Sequence, residues 1–317
     1  MKLILFLALL AGLAAFVLWK ARAHEARAVA AFPPEGRLIE VNGHRVHAVI
    51  MGAGPDLVLI HGASGNTRDL TFDLAPRLAA RYRVILLDRP GLGHTDRIDG
   101  DGASIIEQAA LLQAAAATLG AGRPIVMGHS YGGAVALAWA VTRPEHVAAL
   151  VILAGASHPW QSALPLEYRL LSHPVIGPLV APVLSAFVPD AYVERAVAGI
   201  FAPQDVPEGY ISHVGAALTL RRNTLRENAL QRAHLLAEIK ALHPHYPQIT
   251  APTEIVHGDR DTTVGLSIHA GPLARDIPDA RLTTLPGIGH MPHHAAPDQV
   301  IAAIDRAAAR AGLRPAP

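Results

Sequence analysis

Short, unbroken apolar runs recur along this chain at 57–60, 84–87, 125–127 and 150–153, separated by helical patterns at 67–80, 104–119 and 132–142. Strands without a polar face must be covered on both sides, and connections long enough for a helix let consecutive strands run parallel. A mostly parallel, doubly covered sheet is therefore the expected α/β architecture. The alternation stops between 157 and 248, where Pro159, Pro165, Pro174, Pro178, Pro182, Pro189, Pro203 and Pro207 divide helical segments and no strand pattern stands out. It resumes with a strand at 254–256, a helix at 266–275, a strand at 281–285 and an Ala-rich helix at 297–311. Ahead of it, 38–51 reads as a hairpin, because Asn42-Gly43 supplies the two positive-φ residues of a tight turn. The expected organisation is a core in two parts, 36–156 and 249–313, interrupted by a helical cap at 157–248 and preceded by an N-terminal segment at 1–30. The sequence has no internal repeat of fixed period.

That N-terminal segment stands apart. Residues 3–19 carry no charge, follow Lys2, and are followed at once by Lys20 and Arg22. About 17 residues is the shortest apolar helix that spans hydrocarbon. Three readings fit: a membrane anchor, a signal peptide cleaved at Ala21-Arg22-Ala23 or Ala28-Val29-Ala30, and a buried core helix. Length, Trp19 and the two following cations favour an anchor with a single N-terminal pass, with export after cleavage as the alternative. The flanking cations are too evenly divided to assign a side of the membrane. This segment supplies about half of the summed hydropathy behind the chain's mean hydropathy of +0.28. Composition thus points to a soluble body on a tether.

Lys and Arg number 27 against 26 Asp and Glu, which leaves no global field for a polyphosphate backbone, so no nucleic-acid partner is expected. The chain has no cysteine, which removes disulfides, thiolate nucleophiles and cysteine-ligated metals. Any chemistry falls to Ser, His, Asp, Glu or a bound cofactor.

The strand at 125–127 runs into Gly128-His129-Ser130-Tyr131-Gly132 and then into a helix, a GxSxG pattern in a strand-turn-helix context. Such a turn strains the serine backbone and displays its hydroxyl above the sheet edge, making Ser130 the candidate nucleophile. A serine hydroxyl needs a base, and the base needs a group that fixes its tautomer. Asp259 and Asp261 follow the penultimate predicted strand, and His290 follows the last. All three loops leave the sheet at the same edge, so Ser130, an aspartate and His290 can converge.

With these residues in place the chain resembles the α/β-hydrolase superfamily from about Leu38 to the last helix. The resemblance implies an α/β-hydrolase fold with a Ser130, Asp261, His290 triad in that chain order. Gly258-x-x-Asp261 is similar to the family's acid loop, and its register selects Asp261 over Asp259; Thr262-Thr263-Val264 stands where the family usually has a proline. His61-Gly62-Ala63-Ser64 is similar to the oxyanion loop, which implies an oxyanion hole from the backbone N–H groups of Ala63 and Tyr131. Asp88-Arg89-Pro90-Gly91-Leu92-Gly93 is similar to a further family stretch. No metal or organic cofactor is implied.

The implied activity is that of a serine hydrolase, esterase- or lipase-like, cleaving a carboxylic ester of a small apolar substrate through an acyl-enzyme. Alternatives are a C–C bond hydrolase of the meta-cleavage type or a perhydrolase with the same triad, and a non-catalytic ligand-binding protein on a hydrolase fold. The uncharged stretch 173–189 reads as the underside of the cap or as an apolar mouth, with Trp160, Tyr168 and Tyr210 as candidate substrate-binding residues. Among 18 histidines, His293 and His294 lack a carboxylate at a ligand spacing, so no metal site is expected. His243 and His245, flanked by prolines, read as a solvated loop. His129 reads as a packing residue, and His61 as one that orders its loop.

Overall fold

In the computed structural model, which describes residues 1–315, the apolar runs form the inner strands of one eight-stranded sheet. The strands are β1 (Arg37–Val41), β2 (His44–Met51), β3 (Asp56–Ile60), β4 (Arg83–Leu87), β5 (Ile125–His129), β6 (Ala149–Leu153), β7 (Thr253–Gly258) and β8 (Ala280–Leu285), in the spatial order β1-β2-β4-β3-β5-β6-β7-β8. β2 runs antiparallel to β1 and β4, and every other pairing is parallel. The β1–β2 turn is the expected one, with Asn42 and Gly43 both at positive φ.

Successive strand side chains point to opposite faces, and each face has its own core. Val58, Ile60, Ile85, Val126, Ile152 and Ile255 pack on one side, against α2 (Ile105–Thr118) and α3 (Tyr131–Thr142). Leu57, Leu59, Leu86, Met127, Val151 and Val256 pack on the other, against Leu74, Leu78, Val300 and Ile304. Two expected helices are shorter than their periodicity suggests. The pattern at 67–80 splits into Thr67–Thr71 and Leu74–Leu78, because Pro76 has no N–H for the Phe72 carbonyl. The pattern at 266–275 becomes Ala270–Asp276, with Pro272 in its first turn, where a missing donor is tolerated.

Between β6 and β7 the described chain is helical, with α4 (Leu166–Ser172), α5 (Gly177–Phe187), α6 (Asp190–Phe201) and α7 (Arg222–Leu242). Pro165, Pro178 and Pro189 sit at helix starts, where a fixed φ is an advantage. His243 does not belong to a solvated loop. It opens the 3₁₀ turn His243–Gln248, partly buried, with its ring 5.5 Å from that of His158. His245, in the same turn, is exposed. After β7 come α8 (Ala270–Asp276) and α9 (Pro297–Arg310).

The N-terminal segment, α1 (Lys2–Ala31), is one uninterrupted helix with two different halves. Its most apolar window has a mean hydropathy of 2.4, contains no buried residue, and is long and apolar enough to cross a membrane. The second half docks on the body. Ala21 and Ala28 are buried, Glu25 accepts from the Arg222 backbone N–H at 2.9 Å and from its guanidinium at 2.8 Å, and Lys20 lies over the Phe187 ring. Both small-x-small sites fall in this docked half.

Candidate active site

The site grows from the end of β5. Ser130 is the single residue between β5 and α3, and it is held at φ 53°, ψ −117°, a conformation costly for any side chain. Hydrogen bonds fix it: its N–H donates to Leu153 O at 2.9 Å, and its carbonyl accepts from Gly133 N and Ala156 N. The two motif glycines answer to crowding. A Cβ at Gly128 would lie 2.0 Å from Gly132 O, and one at Gly132 would lie 2.4 Å from Ile60 O.

His290 Nε2 stands 2.9 Å from Ser130 Oγ, and His290 Nδ1 stands 2.8 Å from Asp261 Oδ2. Asp261 Oδ1 accepts from the backbone N–H groups of Thr263 and Val264, both at 2.8 Å, so Thr262-Thr263-Val264 shapes the loop without a proline. Asp259 lies outside this chain of contacts, bonded instead to Gly287 N. Burial alone would raise the Asp261 carboxyl. Hydrogen bonds from His257, His290 and Val264 N outweigh burial and hold it well below the usual carboxylate range.

His257 is a contributor that sequence reading passed over. Its Nε2 lies 2.7 Å from Val264 O and 3.1 Å from Asp261 Oδ2, so one ring meets both the acid and the loop that carries it. The available signal was its place four residues before Asp261 at the end of a buried strand.

The His61–Ser64 loop, expected to supply the oxyanion hole, leaves β3 beside the serine: a Cβ at Gly62 would lie 3.2 Å from Ser130 Cβ. Among the described residues, no protein acceptor takes the N–H of Ala63 or of Tyr131. The loop is held from behind. His61 donates from Nδ1 to Gly62 O and accepts at Nε2 from Arg89 N, which places its proton on Nδ1. Burial, helped by the Arg89 charge, lowers the His61 pKa to about 4. The fully buried Arg89 donates to His61 O, Gly62 O, Gln108 Oε1 and Gln231 Oε1, and its guanidinium lies 4.3 Å from the Tyr131 ring centroid. From α7, Asn228 accepts from Ser64 N at 2.8 Å and donates to Ser64 Oγ at 2.9 Å. Ser64 itself sits at φ 56°.

Behind His290 lies a second polar cluster. Asp69 receives Tyr210 OH at 2.8 Å, His294 Nε2 at 2.9 Å and His293 Nε2 at 3.3 Å. His129 packs between His290 and His293, and its Nε2 bonds the His290 carbonyl at 3.0 Å.

The three aromatic residues expected at an apolar mouth take separate places. Tyr210 is buried with its hydroxyl committed to Asp69, Tyr168 packs beside Arg232 within the α4–α5–α7 cluster, and the Trp160 ring lies against His269.

Haloalkane dehalogenase 2 of Mycobacterium tuberculosis is 27% identical over 288 residues, covering 86% of this chain and 94% of that protein. The 2-hydroxy-6-oxononadienedioate/2-hydroxy-6-oxononatrienedioate hydrolase of Comamonas testosteroni is 26% identical over 264 residues, covering 79% and 86%. Among solved structures, a bacterial membrane phospholipase A superposes with a TM-score of 0.64 at 24% identity, covering 96% of this chain and 97% of that one. The family model described as alpha/beta hydrolase family matches residues 57–303, from β3 through the first half of α9 and so across the turn at Ser130 and the loops of Asp261 and His290; this chain belongs to that family.

Proposed function

We propose that this chain is a serine hydrolase that cleaves a carboxylic ester of an apolar substrate, with Ser130 as nucleophile, His290 as base and Asp261 as the group that orients it. The carrying observation is the unbroken line Ser130 Oγ, His290, Asp261 at 2.9 and 2.8 Å on a strained turn. With Asp261 ionised, the His290 proton sits on Nδ1 and the Nε2 lone pair faces the hydroxyl. As Ser130 Oγ attacks the acyl carbon, Nε2 takes its proton and Asp261 stabilises the imidazolium. The developing oxyanion takes the N–H groups of Ala63 and Tyr131, each such donor being typically worth about 10²–10³ in rate. His290 then protonates the leaving alcohol, and water repeats the attack on the acyl-enzyme.

A serine at the elbow also separates this chain from its dehalogenase relative in chemistry. Displacement of a halide by Ser130 would leave an ether, which water does not cleave, whereas acyl transfer leaves an ester that it does. The Comamonas relative supports a second reading, hydrolysis of a C–C bond by the same three residues. We further propose that α1 anchors the chain in a membrane. Support comes from its docked half, since cleavage after Ala23 or Ala30 would sever α1 within or just beyond the segment that Glu25 and Ala28 hold to the body.

Fluorophosphonate labelling of the full chain tests the nucleophile. Wild type is expected to label, and Ser130→Ala and His290→Ala are not; equal labelling of Ser130→Ala would remove the assignment. Rates on nitrophenyl esters against a vinylogous diketone then separate ester from C–C cleavage. Intact mass of the membrane-fraction protein tests the anchor, which requires the N-terminus to be retained.

A further inference from the structure

We propose that His158, His243 and Asp276 form a binding site for a divalent metal ion of the zinc class, placed where both ends of the helical insertion meet the sheet domain. His158 lies five residues beyond β6, on the way into the insertion; His243 follows α7, on the way out; Asp276 ends α8 of the core. One nitrogen from each imidazole and one carboxylate oxygen lie within 4.8 Å of one another. Two imidazoles and a carboxylate are a donor set suited to zinc, with water completing a tetrahedron.

The surroundings orient the ligands. The Ser157 hydroxyl donates to His269 O at 3.1 Å, so the oxygen it presents to His158 Nδ1 at 3.0 Å accepts. The backbone N–H groups of Ser157 and His158 both point at His269 Nδ1, and Tyr246 OH donates to Ser157 O at 2.9 Å. With Nδ1–H bound to Ser157, His158 Nε2 carries a lone pair, yet it faces Asp276 Oδ2 at 2.9 Å, a second acceptor. A cation between them resolves this conflict, and a ligating histidine whose other nitrogen is hydrogen-bonded is the usual metal-site arrangement. Tetrahedral ligands at zinc distances stand about 3.3 Å apart, so Asp276 must swing outward slightly, which its partly exposed side chain permits. The site lies outside the proposed reaction path and would clamp the two crossings of the insertion.

The test uses the full chain, stripped with chelator and dialysed against Zn²⁺. Wild type is expected to retain one ion per chain and to melt several degrees higher with it. Asp276→Asn and His243→Gln each weaken retention at least tenfold and abolish the rise, while His290→Ala retains both; Co²⁺ in place of Zn²⁺ gives a four-coordinate absorption spectrum. Retention of no ion by wild type overturns the proposal, and so does unchanged retention in Asp276→Asn and His243→Gln, which would place the metal elsewhere. A spectrum lost only in His290→Ala would do the same.

Discussion

Asp261 accepts from two backbone N–H groups and faces two imidazoles, so its carboxylate is over-determined before any substrate arrives. Hydrogen bonding holds its carboxyl well below the usual carboxylate range, so Asp261 is expected to stay ionised throughout the acid limb of kcat/KM. His257 acts through Asp261 as a positioning residue. Replacing it with alanine removes one charge-assisted contact, which predicts a fall in kcat on the order of tenfold. KM should change little, and glutamine should restore part of the loss. Steady-state kinetics on a nitrophenyl ester reads this, and a loss confined to KM would count against it. Ser130, His290 and Asp261 were legible because each sits in a short motif at a strand end. His257 and Arg89 were not, because their roles depend on contacts with loops far away in the fold that spacing does not encode.

At the scale of elements, the inserted helices also hold the loop proposed to supply the oxyanion hole. Asn228 on α7 is one tie between them, bonded to both the backbone and the hydroxyl of Ser64, and the Thr219 hydroxyl, which donates to Ser64 O at 2.7 Å, is another. Asn228→Ala is expected to cost about 1 kcal/mol of stability, measured by urea denaturation, and to slow fluorophosphonate labelling on the order of tenfold. An unchanged labelling rate would show that Ala63 is held without α7. The strands were readable because a buried parallel strand has no polar face and announces itself as an unbroken apolar run. Helix ends were less so, since Pro76 and Pro272 act through single missing donors that periodicity averages over. The docking of α1 was hidden for a different reason: Ala21, His24, Glu25 and Ala28 form a stripe with nothing to mark it as buried until Arg222 stands opposite Glu25 and Ala217 O opposite His24.

Across the whole molecule several histidines are buried deeply enough that burial lowers their pKa. Burial is the first cause that lowers His61, His269 and His293 to about 4 each. Unfolded, each would titrate near the ordinary histidine value, so between those limits the unfolded chain binds more protons than the folded one. Stability is therefore predicted to be complete above the ordinary histidine range and to fall as pH drops toward 4, with these three rings and His129, which burial also holds well below the ordinary histidine value, all contributing to the slope. Urea titrations across that interval measure it. A flat profile would mean that the three rings gain protons in the fold.

α1 carries no break between its exposed half and its docked half. If the first half lies in a bilayer, the helix is a rigid lever about 45 Å long, and the orientation of the α/β body is no longer independent of the lipid. Any change in hydrocarbon thickness that tilts the lever turns the body by the same angle. Membrane thickness then becomes a mechanical input to which side of the molecule meets the surface.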